Sequence, residues 1–173
     1  MDDDSYFMIG DVAKATGETV GTIRQWLQRG ILVASDSIWP AGQKTPRLFS
    51  VRTAFEIAVT RALTRHGLPA GAAAEAALSF AHSGGEDTAT GAPATDDVNL
   101  VRRPGALFPD GMTFLIVPDD PQKTRVVKIT GRLPSAEFLT GEPRTIICLN
   151  PIIEHVSATL SGYARKSSHK EAE

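Results

Sequence analysis

Arg24, Gln25, Gln28 and Arg29 stand close together in the stretch VGTIRQWLQR. Arginine presents paired donors and glutamine a donor beside an acceptor, the side-chain chemistry that reads base edges in a DNA major groove. At ~100° per residue, Val20, Ile23, Trp26 and Leu27 fall on one side of a helix, which must pack. The opposite side carries Gly21, Thr22, Gln25, Gln28 and Arg29, with Arg24 at its border. That outer face has two positive charges and no carboxylate. Gly21 and Thr22 are small enough to admit a close surface, and Thr19 stands at the helix start as an N-cap. The plain alternative is a solvated face on any small helical domain.

Other residues with chemical potential are scattered. Cys148 is the one cysteine; it sits among apolar neighbours, as buried free thiols do. His155 lies seven positions further on, and a Cys-His nucleophile pair there lacks a third, orienting group. Asp119 and Asp120 fall in PDDP, where aspartates form turns more often than they hold metals. Glu86, Asp87, Asp96 and Asp97 sit in a polar stretch that reads as solvated. Phosphate loops, metal triads and nucleophile elbows are missing from the sequence. The expectation is a protein that is not an enzyme, with no cofactor and no metal.

The elements that must position the reading face are marked by local punctuation. A first short helix is expected over 9–15, with Val12 and Ala13 inward. Gly17 supplies the tight turn and Thr19 caps the second helix, which stops near Arg29 and Gly30. ILVASD and RLFS read as two strands flanking SIWPAGQKTP, a hairpin. Ser50 caps a third helix with Ala54, Ile57, Ala58, Ala62 and Leu63 inward, ended by Gly67. Pro69 takes the first helical position of a fourth, Ala-rich helix reaching about Ala81.

Charge follows the same division. The chain of 173 residues carries a net charge of −2, yet residues 19–66 hold seven basic residues (Arg24, Arg29, Lys44, Arg47, Arg52, Arg61, Arg65) against Asp36 and Glu56. Local charge decides a nucleic-acid partner, and whole-chain acidity does not exclude one. Lys44 and Arg47, in or beside the hairpin, are the natural second contact, to phosphates or the adjacent minor groove. The start, MDDDS, is acidic where a secretory signal is basic and then apolar. A disulfide framework is impossible with one cysteine, so a cytoplasmic, reducing setting is expected. The sequence has no apolar run near the ~20 residues that span a bilayer, and no membrane partner is expected.

The order of these residues resembles a known family. YFMIGDVAKATGETVGTIRQWLQRGIL is similar to the winged helix-turn-helix start of MerR-type regulators. It has an aromatic, Ile-Gly, an acidic-Val-Ala triplet, a Thr-Gly turn, Thr-apolar-Arg, an aromatic, and Gly before apolar residues. RLFSVRTAFEIAVTRALTRHGLPAGAAAEAALSFA continues it. The resemblance covers about 6–82 and implies that Thr22, Arg24 and Gln25 occupy recognition-helix contact positions. Arg24 matches the family's DNA-contacting Arg; Gln25 stands where an aromatic that contacts phosphate is common. The wing lacks the family's Gly-Tyr-Arg, and neither the long dimerisation helix nor the effector cysteines follow.

A polar, acidic stretch over 83–98 reads as a flexible linker. Beyond it GMTFLIV, TRVVKIT and RTIICLN read as strands, and Asn150-Pro151 opens a helix. That helix has Ile152, Ile153, Val156, Leu160 and Tyr163 on its apolar face, with Arg165 and Lys166 near its end. The whole is therefore α+β: an N-terminal winged helix-turn-helix of four helices and a hairpin wing over 6–82, and a small three- or four-stranded sheet with a covering helix over 99–165. A unit of about 65 residues buries a low fraction of its surface, so the second unit is expected to self-associate.

The reading is a sequence-specific DNA-binding transcriptional regulator acting as a homodimer on double-stranded DNA. Its contact residues are Thr19, Gly21, Thr22, Arg24, Gln25, Gln28, Arg29, Lys44 and Arg47. The alternatives are an excisionase-like or architectural accessory protein assembling head to tail, and a ligand-sensing or enzymatic C-terminal unit addressed to DNA.

Overall fold

The computed structural model describes residues 5–34, 37–38, 47–84, 102–130, 145–163 and 165–166. In chain order these form β1 (Ser5–Met8), α1 (Ile9–Thr16), α2 (Val20–Gln28), β2 (Leu48–Ser50), α3 (Val51–Arg65) and α4 (Ala70–Ala81). Then come β3 (Met112–Val117), a 3₁₀ turn (Pro121–Lys123), β4 (Arg125–Ile129), β5 (Thr145–Cys148), α5 (Asn150–Ser161) and β6 (Arg165–Lys166). The expected α+β organisation is present, with four helices before the three-stranded sheet and one after it.

The helix ends fall where the punctuation places them. Gly17 ends α1 at φ 70 and Gly30 follows α2 at φ 65, both in the left-handed region open to glycine. At Gly17 there is a second constraint, because an added Cβ would lie 3.2 Å from Cζ of Arg61. Ser50 caps α3, its Oγ accepting the Thr53 amide at 3.1 Å. Pro69 is the N-cap of α4, with ψ 141, rather than its first helical residue.

Several local expectations need correction. Residues 31–34 are not a strand: Ile31 donates back to the Trp26 carbonyl, and Ala34 takes φ 44, which turns the chain. Among the described residues the wing's antiparallel pairing is a bridge between Ile38 and Leu48, with two hydrogen bonds of 2.9 Å. The strand that fills the sheet is instead β1, which pairs with β2 and sets Phe7 opposite Phe49, both buried. Such a cross-strand aromatic pair fixes register where one sheet face is buried.

The inward stripe expected for α3 is too narrow. From Val51 through Thr60 every residue except Arg52 is buried, because α1, α4 and α5 all pack on this helix. Asn150 does not cap its own helix; it is the first residue of α5, and its Oδ1 accepts the Thr113 amide at 2.7 Å. Arg165 and Lys166 do not prolong α5 but pair with β1 as β6. The helix has already stopped at Ser161, four residues earlier.

The second sheet is antiparallel with order β4-β3-β5. Leu115, Val117 and Ile147 share its inner face, and they belong to the same buried cluster as Ile23, Ala54 and Ile57. From α5, Ile153, Val156 and Leu160 enter that cluster too. Tyr163, beyond the helix, lies under the Lys14 ammonium at 5.6 Å. One core thus runs through both halves of the protein. The stretch expected to link them lies mostly outside the described residues; at its edges Gly84 backs onto Arg102, where a Cβ would be 2.8 Å from the carbonyl oxygen.

Candidate nucleic-acid interface

Helix α2 is held by one face and capped at its start. Ile23 is fully buried and Trp26 nearly so, with Val20 and Leu27 packed at the margin. Thr19 is the N-cap: its Oγ1 accepts the Thr22 amide at 3.0 Å and lies 2.9 Å from the Thr22 hydroxyl. The Thr19 amide is itself taken by Oε1 of Glu18 at 2.8 Å. Oε2 of Glu18 is 3.9 Å from Nε of Arg61. The Glu18 carboxylate is therefore occupied at the turn between α1 and α2.

Gly21, Arg24, Gln25, Gln28 and Arg29 are all exposed, as is Thr19. At ~100° per residue they make a continuous arc of roughly 140° from Arg24 to Arg29. Thr22 is half-buried and closes the arc on the far side. The structure therefore brings seven of the nine expected site residues onto one helix and its cap. Trp26 is core, as its place on the inner side requires.

The wing residues fare differently. Lys44 lies outside the described residues. Arg47 is half-buried and turned inward: Nη2 donates to the Ala34 carbonyl at 2.9 Å, and Nε bonds the Ser37 hydroxyl. Its guanidinium also lies over the Phe49 ring at 5.6 Å. It ties the turn at Ala34–Ser37 to β2 and so anchors the base of the wing.

Two chemically notable groups escaped sequence reasoning. Glu56 is fully buried on α3, with Oε2 3.1 Å from Nε2 of His82 and Oε1 without a hydrogen-bond partner. Arg102 is buried and donates to the carbonyls of Ser79, Phe80, Ser83, Arg103 and Ala106, with its guanidinium 5.0 Å over the Phe80 ring. Burial lowers its pKa to about 10, so it stays charged at neutral pH and closes the end of α4. Both lie where residues 22 or more positions apart meet, and a local pattern carries no signal for either.

The remaining candidates settle into structural places. Cys148 is half-buried, with Sγ 3.9 Å from Asn150 Oδ1, and His155 is on the exposed side of α5. Asp120 caps the 3₁₀ turn, accepting the Gln122 amide at 3.1 Å, and lies 3.6 Å from the Lys123 ammonium. Among the described residues no three His, Cys, Asp or Glu side chains converge to hold a metal ion. Nor is any helix among them long and apolar enough to cross a membrane.

Residues 7–78 match the family model described as MerR HTH family regulatory protein. No curated protein matches the chain. The N-terminal half is a MerR-like helix-turn-helix domain, the module of a DNA-binding transcription regulator.

Proposed function

We propose, from a MerR-like helix-turn-helix at residues 7–78, that the protein is a sequence-specific transcription regulator that reads double-stranded DNA with the outer face of α2. The observation that carries this reading is the exposed arc of Arg24, Gln25, Gln28 and Arg29. It bears two guanidinium groups and no carboxylate, on a helix whose other face is locked into the core. Arg24 and Gln25 are placed to reach base edges, while Gly21 keeps the helix surface low enough for the groove. Thr19 and Thr22, at the helix start, lie where phosphate oxygens meet a helix N-terminus. Lys44 supplies a phosphate contact from the wing, and Arg47 serves by holding the wing's base.

The regulator acts as a homodimer through residues 99–165, because two copies double the site read and recognition by paired half-sites is the rule for such modules. The buried stripe of α5 is already used within the chain, so the contact falls to the edges of the second sheet, β4 and β5.

Selection of bound fragments from a random DNA library, followed by fluorescence anisotropy on the enriched site, tests the reading. Arg24→Ala is expected to weaken binding by about 1–3 kcal/mol and to relax preference at one base position. Unchanged affinity overturns the assignment of α2. A palindromic site bound by two copies supports the dimer, whereas a tandem array of same-direction sites replaces it with head-to-tail assembly.

A further inference from the structure

We propose a second binding site, for a small organic anion with an apolar body, in the groove between the start of α3, the loop 103–107 and α5. The groove has a volume of about 510 Å³, within the range of ~300–1,000 Å³ that small-molecule sites occupy. Its floor is apolar: Phe55 from α3, Ile153 from α5 and Leu107 from the loop. Its polar side chains are Arg52, Arg103 and Ser157, and among the described residues no carboxylate lines it. Arg103 is exposed at the rim. A guanidinium at the rim of an apolar floor selects a carboxylate, sulfonate or phosphate attached to an aromatic or alkyl body.

The loop that carries Arg103 is fixed before any ligand arrives. Arg102 is anchored on the carbonyls at the end of α4. The Gly105 amide donates to the Phe80 carbonyl at 2.9 Å, and the Ala106 amide closes a turn on the Arg103 carbonyl at 3.0 Å. A rim charge on a pre-set loop costs little ordering on binding. Two other cavities fit such a ligand less well. The one beside His66 and Pro69 is lined by Asp119, which repels an anion. The one between α1, α3 and α5, at 220 Å³, is below the size of a typical ligand site. Because the groove has one wall on the helix-turn-helix half and another on α5, its occupant would hold the two halves together.

The test uses the full chain and a matched pair of fluorescent probes, 8-anilinonaphthalene-1-sulfonate and the neutral N-phenyl-1-naphthylamine. The sulfonate is expected to bind one saturable site and to raise the thermal unfolding midpoint. Arg103→Gln is expected to weaken the sulfonate at least about tenfold, the size of a lost charged hydrogen bond. It should leave the neutral probe within about twofold, the residual expected from the unchanged apolar floor. Ser157→Phe, which fills the groove, should lower binding of both probes. Arg103→Gln changes an exposed side chain, and an unfolding curve matching the parent shows that it folds. The proposal is overturned by an unchanged sulfonate affinity in that variant, by equal weakening of both probes, or by the absence of a saturable site. None of these outcomes depends on DNA.

Discussion

Helices α2 and α3 begin alike and end in opposite roles. Thr19 and Ser50 each cap by accepting the amide three residues on, at 3.0 and 3.1 Å, and in each case a threonine hydroxyl at that position lies beside the cap. Helix α2 carries Arg24 with Arg29 at its C-cap, and α3 carries Arg52, Arg61 and Arg65. Yet α2 exposes an arc from Arg24 to Arg29, while α3 is buried almost all round through Thr60. The difference lies in their neighbours. Helix α2 packs on one side, whereas α3 is enclosed by α1, α4 and α5. Helix α3 is thus the central support, and α2 is the surface it presents. Substitutions on α3 should move stability and spare DNA recognition, and substitutions on the outer arc of α2 should do the reverse.

The largest expected effect is on the supporting helix. Ile57 is fully buried at the centre of α3. Ile57→Ala removes a buried side chain and leaves a cavity among three helices that cannot all collapse onto it, at a cost of about 2–5 kcal/mol. Chemical denaturation should show a lower midpoint. The folded protein, measured below that midpoint, should bind its selected DNA with the parent's affinity. A loss of affinity in the folded protein would break the separation between support and surface.

A smaller effect is expected at the join between the halves. Arg102→Met keeps much of the stem's packing but removes the donors that satisfy carbonyls at the end of α4. The expected loss is about 2 kcal/mol, in the range of hydrogen bonds to a charged group. A thermal melt that remains a single transition at a lower midpoint would fit the shared core of both halves. Two resolved transitions would show that the halves unfold independently and that Arg102 had coupled them.

What was legible in the sequence was what is local. Gly17, Gly30, Gly67 and Ser50 mark helix ends because a left-handed φ or a hydroxyl cap is a property of one or two residues. The exposed outer face of α2 was legible for the same reason, since nine residues of helix contain their own period. The burial of α3, the Glu56–His82 contact and the anchoring of Arg102 were not, because each depends on elements distant in the chain. The inward turn of Arg47 belongs with them. A lone arginine beside a hairpin reads as a surface charge until Ala34, Ser37 and Phe49 are seen around it. Strand β1 was missed because four residues give too short a period to count, and only Phe7 meeting Phe49 reveals it.

The smallest effect on stability, and the one that most sharpens the comparison, belongs to Arg29. It is exposed at the end of α2, where its amide, not its side chain, closes the helix by donating to the Gln25 carbonyl. Arg29→Ala should therefore change stability by no more than about 0.5 kcal/mol, as surface substitutions away from packed features do. Its effect should appear in the salt dependence of DNA binding. If the guanidinium neutralises one phosphate, removing it releases one counterion fewer, and the slope of log K against log salt should become shallower by about 0.9. Base preference should stay as in the parent, since a phosphate contact positions the protein without reading sequence. Anisotropy titrations at several salt concentrations measure the slope directly. A parallel shift with the parent's slope would place Arg29 outside the contact and shorten the proposed contact arc to Arg24, Gln25 and Gln28.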